Sequence, residues 1–264
     1  KAAQPPPPTS PTPEDPGFAG RAELVSAVVR TVQGRADATP ARWGASRAGL
    51  AQRRVLDALC LFHLQAVRVD QVEADIRRLA ITTGVDRETV RRSLLALAAD
   101  GWIERTKTAV GRRGACWTID PQGVIHSHTA PVLSQADPRP AGTGPAVWAA
   151  LTNRIKTRLE LGSHDAFAPT GGLGIEAGSL YARLDQPGGT VDNSHRFGWT
   201  PTKTNQLLQR LAQAGLIVHD NCWKRTPTNR LDAAADELGT TGFGQRRAER
   251  YLLERALWLS LIHL

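Results

Sequence analysis

Residues 87–92 read Arg-Glu-Thr-Val-Arg-Arg and residues 201–206 read Pro-Thr-Lys-Thr-Asn-Gln. On helices, Arg87, Thr89, Arg91 and Arg92 share a face opposite the apolar stripe of Val90, Leu94 and Leu97, whose i, i+4, i+7 spacing marks the buried side. Thr202, Lys203, Asn205 and Gln206 occupy the corresponding face of the second stretch. These residue types read nucleobase edges: an Arg fork bridges guanine O6 and N7, and an Asn or Gln amide bridges adenine N6 and N7. More cations follow each stretch, Arg105, Lys107, Arg112 and Arg113 after the first and Lys224 and Arg225 after the second, where phosphate is the natural partner.

Other chemistries find little support. His126 and His128 form an H-x-H pair, but no Cys, Asp or Glu nearby completes a metal shell. Gly171-Gly172-Leu173-Gly174 lacks the Gly-Lys-Ser/Thr ending of a phosphate loop. No Ser/His/Asp order or carboxylate pair carries a motif context, and Asp185, Asp192, His195 and Asp220 are scattered over turns. No catalytic residue, metal or cofactor is expected, and the chain reads as a binding protein rather than an enzyme.

The two candidate helices belong to a longer repeat. Residues 84–103 (GVDRETVRRSLLALAADGWI) and 198–217 (GWTPTKTNQLLQRLAQAGLI) pair Gly84 with Gly198, Leu94 with Leu208, Leu97 with Leu211, Gly101 with Gly215 and Ile103 with Ile217. Asp86 and Thr200 are the N-cap candidates, and Pro201 sits where its missing N–H costs no helical bond. Upstream of the first copy, 73–80 reads as a short amphipathic helix and 82–85 as a turn, giving helix-turn-helix. Downstream, 102–106 and 115–119 alternate as strands around the basic turn 110–114. In the second copy, 175–184 is the candidate for helix two, 185–197 reads as an insertion, and the hairpin is shorter, with Asp220-Asn221 at its turn. Cys116-Trp117 and Cys222-Trp223 align the returning strands.

The expected fold class is therefore mainly α with small β-hairpin wings, in two winged helix-turn-helix domains. Residues 84–91 with Leu94, Leu97 and 100–103 resemble GntR-type regulators, a likeness covering roughly 46–120. It implies DNA contact at Arg87, Thr89 and Arg91. Two such domains on one chain resemble plasmid or mobile-element replication initiators, which implies sequence-specific binding of double-stranded DNA at an origin. A GntR-like transcriptional regulator and an architectural tandem winged-helix protein that binds a protein partner remain open as alternatives.

Composition agrees with a polyanionic partner. The chain of 264 residues carries a net charge of +8 and an isoelectric point near 10.1, although GC-rich bacterial coding also favours Arg. The expected organisation is a Pro-rich linker over 1–20, a winged-helix domain over 21–120, a flexible linker over 121–145, a second winged-helix domain over 146–230 and a helical tail over 231–264. In the tail, Arg246, Arg247, Arg250 and Arg255 line one side. Leu252, Leu253, Leu257, Leu259, Leu261 and Ile262 form an apolar surface that could self-associate, meet a protein partner or pack on its own domain. No apolar run is long enough to span a membrane and no signal peptide is recognisable, so a cytoplasmic location is expected. Three widely spaced cysteines imply reduced thiols. A chain that begins at Lys1 and contains no Met is expected to be a segment of a longer protein.

Overall fold

The computed structural model describes residues 17–68, 70–110, 113–120 and 143–261. They form a mainly helical protein with two small antiparallel sheets. The first unit opens with α1 (Phe18–Asp37), α2 (Pro40–Gly44) and α3 (Arg47–Ala66), then β1 (Val72–Ala74), α4 (Ile76–Thr83), α5 (Arg87–Ala99) and the hairpin β2 (Ile103–Lys107) and β3 (Ala115–Ile119). Local chemistry sets these boundaries. Asp75 accepts the N–H groups of Arg77 and Arg78 at the start of α4. Gly84 then ends it at φ 74°, a left-handed turn that suits a residue without Cβ. Asp86 accepts the Thr89 N–H and starts α5.

The second unit repeats this order. After α6 (Thr143–Gly162) and a 3-10 turn (Asp165–Phe167) come α7 (Gly174–Ala182), α8 (Thr190–Phe197), α9 (Pro201–Gln213) and the hairpin β4 (Ile217–Asp220) and β5 (Cys222–Arg225). Ile76 and Thr190 open helices of equal length, and so do Arg87 and Pro201, each pair 114 positions apart. Thr200 accepts the Lys203 N–H, Gly198 makes the left-handed turn at φ 61°, and Asn221 turns the hairpin at φ 57°.

Several expectations need correction. The helix expected over 73–80 begins only at Ile76, because Val72–Ala74 is a strand paired with β3, Val72 opposite Trp117. The second unit's counterpart is a single bridge between Gly188 and Trp223. The stretch 175–184 is the first helix of the second unit, not helix two. The supposed insertion 185–197 contains the true helix two, α8.

Two cores divide the chain differently from the expected domains. Leu151, Ile155 and Leu159 of α6 are buried with Val29, Leu56, Leu59, Leu79, Leu97 and Trp117 in the first core. This helix therefore packs with the first unit rather than opening the second. α10 (Leu231–Glu237) puts Leu231, Ala234 and Ala235 into the second core with Leu180, Leu208 and Trp223, so the second unit runs past residue 230. The last helix, α11 (Phe243–Leu261), returns to the first unit, where Tyr251 is buried. The expected linkers lie largely outside the described residues.

The two units are packed against each other rather than loosely tethered. Leu50 of α3 is part of the second core, Trp199 Nε1 donates to the Gly44 carbonyl at 2.8 Å, and Arg183 bonds Asp37 at 3.1 Å. The turn glycines take reciprocal positions: a Cβ on Gly84 would lie 2.6 Å from Ser163 Cβ, and one on Gly198 would lie 2.5 Å from Ala41 Cα. Beneath the interface, Asp57 accepts from Gln33 at 2.8 Å and from Arg53 at 3.0 Å. Burial pushes the Asp57 carboxyl up, but Arg53, Arg158 and Arg183 together hold it below the usual carboxylate range.

Candidate nucleic-acid interface

α5 exposes one polar face because Val90, Leu94 and Leu97 anchor the other, each at most 3 % exposed. Each polar side chain expected to act there already has a protein partner. Thr89 Oγ1 donates to Asp86 Oδ2 at 2.5 Å. Arg91 grips Glu88 through Nε and Nη2, both at 2.8 Å, and Arg92 Nε reaches the same carboxylate at 2.9 Å. The Arg91 hydrogen bonds come first among the causes that hold the Glu88 carboxyl down to about 2, so it stays ionised throughout the neutral range. Arg87 bonds Glu254 of α11 at 2.8 Å, and its backbone N–H donates to Tyr251 Oη at 3.0 Å. The ion pairs of Arg87, Arg91 and Arg92 reach solvent, where such pairs are weak and readily exchanged for a phosphate or a base.

The hairpin brings further cations alongside. Arg105 and Lys107 lie exposed on β2, either side of an irregularity in its register with β3, and Arg113 is exposed where the turn closes against Val110. Arg112 lies outside the described residues, as do His126 and His128. Arg91, Arg105 and Arg113 line one groove of about 420 Å³ between α5, the hairpin and α11, together with Arg77 of α4 and Arg255 of α11. Arg77 was not among the expected site residues. Only tertiary packing carries it to this groove, so nothing in its local sequence distinguishes it.

The second unit is built alike but charged differently. Its α9 buries Leu207, Leu208 and Leu211 and, at the position of Val90, Thr204, whose hydroxyl bonds the Thr200 carbonyl at 3.1 Å. Thr202, Asn205 and Gln206 stand exposed on the opposite face. Lys203 turns back to Glu176 at 2.6 Å and lies over the Trp199 ring. In the hairpin, Lys224 pairs with Asp220 at 2.7 Å. Arg225 faces inward, donating to the Tyr181 and Ala182 carbonyls at 3.1 and 3.2 Å and so satisfying the C-terminal end of α7. The outward face of this unit is thus amide-rich where the first is arginine-rich.

Among the described residues, no group of three or more His, Cys, Asp or Glu is placed to hold a metal, and no helix is long and apolar enough to cross a membrane. Cys60, Cys116 and Cys222 are free. The chain matches no protein-family model, no curated protein and no solved structure. Any functional assignment therefore stands on the geometry of these two faces.

Proposed function

We propose that the two units are winged helices and that the chain is a cytoplasmic, non-enzymatic protein that binds double-stranded DNA with sequence preference, in the manner of a bacterial plasmid or mobile-element replication initiator. The observation that carries this is the recurrence, 114 residues apart, of a short helix, a left-handed glycine turn, a capped thirteen-residue helix and a hairpin. In each copy the second helix keeps one face buried and leaves a base-reading face exposed. The arginine groove of the first unit supplies the sequence-independent attraction to phosphate. The amide face of the second unit supplies base contacts with little added charge.

Because the units are packed together, they meet DNA as one shaped surface. A long composite site is the natural target, in contrast to the short palindrome of a dimeric regulator. Selection from random duplexes by the full chain tests this. Enrichment of one composite site supports the initiator reading, enrichment of a short palindrome supports a regulator, and no enrichment removes sequence-specific binding.

One observation favours a second reading for the second unit alone. Arg225 faces inward onto the Tyr181 and Ala182 carbonyls, which leaves the second hairpin one outward cation fewer for phosphate, as suits a winged helix that docks a protein partner. Loss of the second half of the site without loss of affinity would support it.

A further inference from the structure

Between the two units and α11 lies a cavity of about 500 Å³, the size of a small-molecule site. It shares Thr89 and Arg92 with the candidate DNA face and is separate from the arginine groove. Arg47 and Arg54 of α3 and Arg246, Arg247 and Arg250 of α11 contribute to its walls. Its apolar lining comes from Ala51, Val85, Phe167, Ile175 and Phe243. Asp86 is the one carboxylate among the lining residues, and its oxygens already hold the Thr89 N–H and hydroxyl.

Two of these cations hydrogen-bond only neutral acceptors, and Asp57 and Asp165 act on them without a direct ion pair. Arg54 is 9 % exposed and donates to the Thr83 and Ile175 carbonyls and to Ser179 Oγ, all neutral acceptors. Burial lowers its pKa to about 10, which leaves it charged at neutral pH. Arg247 donates through Nη1 to the Gly84 carbonyl at 2.7 Å, while its buried Nε has no hydrogen-bond partner among the described residues. A guanidinium taken out of water without an opposite charge is costly, and an unmet buried donor adds to that cost.

We propose that this cavity binds a small organic anion with an apolar body, a carboxylate, sulfonate or phosphate carried on an aromatic or branched aliphatic group. The anionic head meets the Arg54 and Arg247 side of the cavity with help from Arg246 and Arg250, and the body lies on the Phe167, Ile175 and Phe243 surface. A bare phosphodiester of a nucleic-acid backbone has nothing to place on that surface. Such a ligand contacts both units and α11 at once and would hold them in this arrangement.

The test uses the full chain without DNA, so its outcome is independent of the proposed function. The probe is 1-anilinonaphthalene-8-sulfonate, titrated by fluorescence and calorimetry beside its uncharged analogue N-phenyl-1-naphthylamine and beside inorganic phosphate. The expected result is a single sulfonate site, a raised melting temperature, and affinity at least about ten-fold above that of either comparison compound, the worth of one charge-assisted contact. Arg246→Ala with Arg250→Ala, both exposed positions, should weaken the sulfonate by about ten-fold. Ala48→Trp, a bulky group at another exposed position of the lining, should block it; melting curves and circular dichroism check that both variants are folded. Equal binding of the uncharged analogue overturns the proposal, as does equal binding of phosphate. So does absence of sulfonate binding to the folded parent, or sulfonate binding that the folded variants leave unchanged.

Discussion

Tyr251 accepts the backbone N–H of Arg87 at 3.0 Å, and Glu254, one turn further along α11, takes the Arg87 guanidinium at 2.8 Å. The C-terminal helix therefore caps the start of α5, where first-turn N–H groups lack helical acceptors and attract negative charge. Glu254 also approaches Arg77 of the arginine groove at 3.7 Å. If this face binds DNA, a carboxylate held at this point would compete with the phosphates for two cations.

Glu254→Gln should accordingly tighten DNA binding. The pair is about half exposed on the arginine side, so the gain should be modest, up to about five-fold, corresponding to less than 1 kcal/mol. Equilibrium binding at fixed salt checks it. Unchanged or weaker binding would remove Arg87 from the interface.

Arg91 is poised differently, held in a two-bond grip by Glu88 on its own helix. If it leaves that grip to read a base, Arg91→Ala should cost about 1–3 kcal/mol on the selected site and much less on scrambled duplex. Equal losses on both duplexes would demote Arg91 to a phosphate contact.

The apolar anchors of the two helices are matched. Leu94 is 3 % exposed and Leu208 is fully buried, each in its own core. Leu94→Ala and Leu208→Ala should each cost about 2–5 kcal/mol of stability through lost transfer energy and the cavity left behind. Denaturant unfolding measures this; a cost below about 1 kcal/mol at either site would show that the surroundings collapse to fill the gap.

What was legible in the sequence follows from which signals are local. The turn glycines, the Asp86 and Thr200 caps and the leucine stripes of α5 and α9 are set within a few residues, and all appear where their spacing predicts. Helix α8 was hidden because its buried residues are Asn193, Ser194 and Phe197. Two polar residues inside remove the apolar period, and only the structure shows Asn193 bonding the Gly188 and Gly189 carbonyls. The strand over Val72–Ala74 depends on pairing with a segment more than forty residues away. Chain order places α6 with the second unit because it carries no information on where Leu151, Ile155 and Leu159 are buried. At the site, residue types were readable but engagement was not: Arg225 looks like any hairpin cation until Tyr181 and Ala182 are seen to accept its donors.

His63 should give the protein a defined acid sensitivity. It is 1 % exposed in α3, neither ring nitrogen has a hydrogen-bond partner among the described residues, and burial, opposed by Asp70, lowers its pKa from 6.5 to about 4. A depressed pKa means the unfolded chain binds the proton more readily, so this contribution is present above pH 6.5 and is lost as pH falls from about 6.5 to about 4. The loss should reach on the order of 3 kcal/mol. His63→Phe should flatten the stability profile in that window. An identical slope in the folded variant would place the acid sensitivity elsewhere.

Whether both units read one DNA molecule is decided by hydroxyl-radical footprinting with affinity measurement on the selected duplex. Three proteins are compared: the parent, Arg91→Ala with Arg105→Ala, and Asn205→Ala with Gln206→Ala. The parent footprint should cover two major-groove faces about one helical turn apart, roughly 34 Å. Each double variant should lose protection over a different half and bind more weakly. A footprint confined to one half, with the Asn205 and Gln206 variant indistinguishable from the parent, would contradict reading by both units.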